Sequence, residues 1–210
     1  MNILIVVFGY LFIFSVSEFL HKKYSWQSEY TRKVAHVGAS LFSLAVPHLV
    51  NRIQITGIGI FFFIALIITK RISYLKSIHQ VQRHTLGALL FPITIVILAW
   101  LTWYERLPAY YYAILILGFS DTLAAVFGKG KKITSKLSFF PSCLGSLVYF
   151  LMTMLISLVI LASIGQEIPI ISVITVSFIL TIVERYSPWG VDNTSVPIVA
   201  VFLFQNLLIT

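Results

Sequence analysis

Four short stretches of this 210-residue sequence carry polar side chains at spacings suited to handling phosphate. In RKVAHVGAS, His36 follows Arg32 by four residues and Lys33 by three, so on a helix all three share a face. Placed ahead of a helix, such cations reinforce the free N–H groups of its N-terminus and attract a polyanion both by charge and by directed donors. A basic pair beside a membrane span is also the ordinary mark of a cytoplasmic loop, and a lone His commonly bonds a neighbouring helix. In LGFSDTLAAVFGKGKK, Asp121 lies seven residues before Gly128, roughly 10 Å along a helix from the loop that follows. An ionised carboxylate at that depth is expensive, which points to a functional site with a partner or a bound cation. The competing reading is a buried ion pair with Arg83 or a loop lysine.

The segment GKGKKITSK adds Lys129, Lys131, Lys132 and Lys136 to two glycines and two hydroxyls, a composition suited to wrapping a triphosphate. It is not a Walker A loop, because no glycine stands five residues ahead of a Gly-Lys-Ser/Thr, and short basic loops are also common as plain solvated connections. In ERYSPWGVDNTSVPI, Glu184 closes one helix and Asp192 and Asn193 open the next. Hard oxygen ligands of this kind bind Mg²⁺, one or two carboxylates being completed by phosphate oxygens and water. The alternative is that Asp192 or Asn193 caps the final helix while Glu184 pairs with Arg185 or a loop lysine.

The elements that must position these groups are membrane helices. The chain is 59% apolar and 10% charged, with a mean hydropathy of +0.95; a soluble domain is about 25% charged. Apolar runs occupy about residues 3–20, 34–50, 54–69, 86–104, 108–127, 141–163, 168–183 and 193–209, which predicts an all-α, polytopic transmembrane bundle of eight spans. Seven is the alternative, because the second and third runs are joined so tightly around Asn51 and Arg52 that they suit a tilted or re-entrant hairpin. Eight spans of roughly 20 residues use about 160 positions. That leaves no room for a separate soluble domain, so residues 1–210 are expected to form one integral-membrane domain. The first run has no basic n-region and no small-residue cleavage site, and reads as a retained helix. Long runs without regular turn punctuation exclude a transmembrane barrel. A single cysteine, Cys143, excludes an intrachain disulfide.

Thirteen of the 15 Lys and Arg residues fall in one alternating set of loops, and only Arg52 and Arg106 in the other. The richer set faces the cytoplasm, which puts all four polar stretches on that face and both termini opposite. A net charge of +8 suits an anionic leaflet or ligand. Its dispersal among loops argues against nucleic acid as partner.

Taken in order, RKVAHVG, the Arg-x-x-x-Gly of RHTLGALLFP at Arg83 and Gly87, SDTLAAVFGKG, LGS from Leu144 and ERYSPWGVDNTSVPI resemble the membrane-bound polyprenol, dolichol and phytol kinase family. That family is related to the CTP-using phosphatidate cytidylyltransferases, and the resemblance spans most of the chain. It sets the family's Arg-Lys pair on Arg32 and Lys33, its helix Asp on Asp121, the following Gly on Gly128 and the closing Asp-Asn on Asp192 and Asn193. Two departures stand out: Ser120 precedes Asp121 where the family has Gly, and PSCLGS, ending at Ser146, carries Pro141 and Leu144 where the family has Lys and an acid.

The resemblance implies a CTP-dependent kinase acting on a lipid alcohol such as phytol, a polyprenol or dolichol, or diacylglycerol. The alternatives are a cytidylyltransferase acting on a lipid phosphate, or a non-catalytic relative such as a transporter or scaffold. Phosphoryl transfer rests on alignment and charge neutralisation. The expected division of labour is hydroxyl or Mg²⁺ contact by Asp121, metal or ribose contact by Glu184 and Asp192, and phosphate binding by Arg32, Lys33, Arg83, Gly128 and the loop lysines, the cations lying on the water side. His36 becomes a proton acceptor if it faces the acceptor hydroxyl.

Overall fold

The computed structural model describes residues 2–79, 85–128 and 142–209; Arg83, Lys129, Lys131, Lys132 and Lys136 lie outside them. All eight apolar runs become helix, and the described residues contain no strand. The helices are α1 (Asn2–Tyr24), α2 (Ser28–Ser43), α3 (Val46–Leu49), α4 (Arg52–Arg71), α5 (Lys76–His79), α6 (Gly87–Thr102), α7 (Leu107–Leu115), α8 (Asp121–Gly128), α9 (Cys143–Ser163), α10 (Ile170–Arg185) and α11 (Asp192–Leu203). A π-helical turn, Ile116–Ser120, joins α7 to α8 into one 22-residue rod, Leu107–Gly128. Among the described residues, four helices are long and apolar enough to cross a membrane: α1, α4, this rod and α9. The shorter α6 is also apolar.

The second apolar run is not one continuous helix, since α2 stops at Ser43 and Pro47 lies in the separate short α3. The tight join around Asn51 is a built helix start: Asn51 Oδ1 accepts from the Gln54 N–H at 2.9 Å while Gln54 Oε1 accepts from the Asn51 N–H at 3.0 Å. Arg52 then donates to the Trp103 carbonyl and lies over the rings of Trp100 and Tyr104, fastening α4 to the end of α6.

The rod forms the centre. Ala109, Tyr110, Tyr112, Ala113, Ile114 and Ile116 are all fully buried, because α2, α6, α9 and α11 pack around them. Buried hydroxyls find partners close by: Tyr110 donates to the Ser43 carbonyl, and Tyr112 shares a bond with Ser157. The outer helices show the reverse pattern. Leu147, Leu151, Leu155 and Val159, spaced by four, are all exposed along α9. An apolar stripe of that length on the outside of the molecule is what a helix presents to hydrocarbon.

Candidate functional site

The site is built where α2 crosses the π-helical turn. A π turn departs from the i→i+4 ladder and is frequent at functional positions. Here Leu117, inside that turn, offers its carbonyl to His36 Nε2 at 3.0 Å. Since a carbonyl only accepts, this bond assigns the proton to Nε2 and leaves Nδ1 as the acceptor nitrogen. The approach depends on Gly118, where a Cβ would stand 2.6 Å from the Cβ of Ser40 on α2. Asp121 follows the turn directly. Its Oδ2 lies 2.5 Å from Lys33 Nζ and 3.7 Å from His36 Nε2, and its backbone carbonyl also accepts from Lys33 at 3.4 Å. Among the described residues the partner of Asp121 is therefore Lys33; Arg83 and the loop lysines lie outside them. Arg32 turns to Glu29 at 3.0 Å, while its buried Nε has no hydrogen-bond partner among the described residues.

The placement of Arg32 and Lys33 differs from the sequence expectation. Helix α2 begins at Ser28, so both residues lie in its second turn and do not precede it, and both are buried. Carboxylate partners make that burial tolerable, for an ammonium or guanidinium inside the fold needs a counter-charge.

The second half of the site comes from the turn between α10 and α11. Gly190 has φ +85°, and a Cβ there would lie 2.5 Å from the Gly87 nitrogen, so only glycine fits. The turn is thereby pressed onto the start of α6, and the Leu86 N–H donates to the Trp189 carbonyl at 2.7 Å. Asn193 Nδ2 donates to the Gly87 carbonyl at 2.8 Å, and the Asn193 carbonyl accepts from Thr94 at 2.9 Å. Capping of α11 by Asp192 or Asn193 is not what is seen: the cap residue is Val191, with no side-chain bond.

Two cavities result, and they share Asp121 and Asn193. The larger, about 60 Å³, is apolar along most of its wall and has Arg32, Lys33, His36, Asp121 and Asn193 among its lining. The smaller, about 10 Å³, is lined by Asp121, Glu184 and Asp192 together with Tyr149. Among the described residues, no three His, Cys, Asp or Glu side chains are grouped so as to hold a metal ion by themselves. Glu184 Oε2 is buried and lacks a hydrogen-bond partner among the described residues. Gly128 and Ser146 line neither cavity. A Cβ on Gly128 would meet Ser142 at 2.9 Å, and Ser146 accepts from Arg185 at 3.0 Å.

Tyr149 and Phe91 are site residues that sequence reasoning missed. Tyr149 is buried against the acidic cavity, and the Phe91 ring packs against the His36 ring at 5.0 Å. Both sit within apolar runs, where nothing in the sequence separates a wall of the site from ordinary core.

No family model and no solved structure matches the chain. It is 29% identical over 192 residues to a phytol kinase of Synechocystis sp. (strain ATCC 27184 / PCC 6803 / Kazusa), an alignment covering 87% of this chain and 81% of that protein. This likeness runs through nearly the whole sequence.

Proposed function

We propose that this chain is a membrane-embedded lipid-alcohol kinase that moves the γ-phosphoryl group of a nucleoside triphosphate to the hydroxyl of a lipid alcohol. CTP is the donor by the family resemblance, and phytol, a polyprenol or diacylglycerol the acceptor. The observation that carries this reading is the meeting of Lys33, His36 and Asp121 at an apolar cavity. A lipid alcohol needs that combination, a polar group for its hydroxyl and a dry wall for its chain. The likeness to a phytol kinase adds independent support.

In the reaction, the bond from the γ-phosphorus to its bridging oxygen breaks, a bond to the lipid oxygen forms, and a nucleoside diphosphate leaves. Asp121, held by Lys33, orients the hydroxyl, and His36 Nδ1 takes its proton, since Nε2 already donates to Leu117. Arg32, Lys33, Arg83 and the loop lysines offset the charge of the triphosphate. The carboxylates of the smaller cavity fit Mg²⁺. They are hard oxygen donors around a space for roughly one water or ion, and the unpartnered Oε2 of Glu184 is among them. Glu184 and Asp192, with Asp121 beside them, would hold the ion, which supplies charge neutralisation at the phosphates when bound. The charge bias of the loops favours eight crossings with this site on the cytoplasmic face.

The test is purified protein in lipid nanodiscs with CTP, Mg²⁺ and phytol, using CTP labelled at either the α or the γ position. Label from the γ position appearing on the alcohol is the expected result. Transfer of α-label to a lipid phosphate, with release of pyrophosphate, would replace the kinase by a cytidylyltransferase. Absence of any labelled lipid across alcohols and lipid phosphates would favour a non-catalytic relative.

A further inference from the structure

The larger cavity extends well beyond the charged cluster. On α4 its wall runs from Leu66 back to Ile55, about 16 Å at 1.5 Å per residue. On α2 it runs from Arg32 to Ala39, about 10 Å at 1.5 Å per residue. Phe62, Ile95 and Tyr10 complete the apolar part, and the Tyr10 hydroxyl is tied to Ser43 Oγ at 2.8 Å, one turn beyond Ala39. The lining residues on these helices trace an elongated, mostly apolar slot beside the charged cluster. Ala39 is buried in the wall where α2 passes the slot, and its methyl group leaves the width that a longer side chain would fill.

We propose that this slot seats the part of the acceptor's chain next to the hydroxyl, in single file, and that Ala39 and Ile95 set its calibre and so the preference between methyl-branched and unbranched chains. The assignment rests on the kinase reading only for what happens to the hydroxyl; the seat for the chain stands on the slot itself. Narrowing it with Ala39→Leu should raise the KM for phytol at least tenfold, raise that for unbranched hexadecanol less, and leave the KM for CTP unchanged. Widening it with Ile95→Ala should shift the preference the other way. Opposite shifts of one ratio are not what loss of folding produces, and thermal unfolding of each variant in detergent checks that directly.

A second measurement does not depend on turnover. A long-chain alcohol carrying a diazirine a few carbons from its hydroxyl, photolysed in nanodiscs holding the full chain, should label α2, α4 or α6 at slot residues. Excess phytol and Ala39→Leu should each suppress that labelling at least fivefold. Labelling confined to outward-facing residues such as Leu151 or Phe61, or equal losses for both alcohols in both variants, would overturn the proposal. Slot labelling without transfer of γ-label would leave the seat standing and reject the kinase.

Discussion

Replacing Asp121 by Asn tests the centre of the site, because its ion pair with Lys33 is buried. The two side chains are 17% and 7% exposed at a separation of 2.5 Å. Removing one member of such a pair leaves the other charge uncompensated inside the protein, at about 3–5 kcal/mol. For a chain of this size each kcal/mol moves the melting temperature by roughly 2–4 °C, so Asp121→Asn and Lys33→Met should each melt roughly 6–20 °C lower. The double variant contains neither charge and should recover most of that loss. Activity should behave differently. If Asp121 orients the acceptor hydroxyl, transfer of γ-label is lost in Asp121→Asn and stays lost in the double variant although its stability returns. Both readouts come from one set of nanodisc samples, thermal unfolding for the fold and labelled lipid for the chemistry. Turnover within tenfold of the parent in Asp121→Asn would remove this carboxylate from the mechanism. A double variant no more stable than either single one would show that the pair is not what holds α2 against α8.

Three further outcomes follow from the same geometry. His36→Phe keeps the ring contact with Phe91 but removes the acceptor nitrogen, so kcat should fall by about 10²-fold or more while the KM for CTP stays within twofold; steady-state kinetics at saturating alcohol decides. Glu184→Gln removes a carboxyl ligand from the acidic cavity and should raise the Mg²⁺ concentration giving half-maximal rate about tenfold, with little change in melting temperature, as a Mg²⁺ titration would show. Asn193→Ala deprives the buried Gly87 carbonyl of its donor and should destabilise by about 1–3 kcal/mol, read as a lower melting temperature that Asn193→Gln does not restore, because its longer side chain overshoots.

The helical class was legible because hydrocarbon leaves few options: with no water to satisfy the backbone, an apolar run of suitable length must bond to itself, and all eight runs did become helix. Where helices end was less legible. The run over residues 34–50 gave no sign that α2 would begin at Ser28, because SEYTRK is polar and becomes helical by packing its one buried face. The site was half legible. Depth in the helix singled out Asp121, but its partner lay 88 residues away on Lys33, a pairing that depends on a π turn no local pattern announces. Tyr149, Phe91 and the slot past Ala39 were hidden for a simpler reason. In a sequence that is 59% apolar, a residue lining a cavity, one packed in the core and one facing lipid all read alike.

The sharing of Asp121 by both cavities bears on how charge is balanced. On its own the acidic cavity is unfavourable, since Asp121, Glu184 and Asp192 face a space with room for about one water, and like charges that close repel. Lys33 lies on the opposite side of Asp121, bonded to it, and lends the carboxylate a counter-charge without entering the acidic cavity. Glu184 and Asp192 are placed beside the turn that Gly190 and Asn193 press onto the start of α6. One or two carboxylates leave most of the octahedral shell of Mg²⁺ open, and the phosphate oxygens of a triphosphate complete it, which an uncharged ligand without such oxygens does not do. It follows that Mg²⁺ should bind the protein much more tightly with CTP than alone. Isothermal titration of Mg²⁺ with and without CTP measures the difference, and equal affinities would show that the triphosphate adds no ligand to the ion at this site.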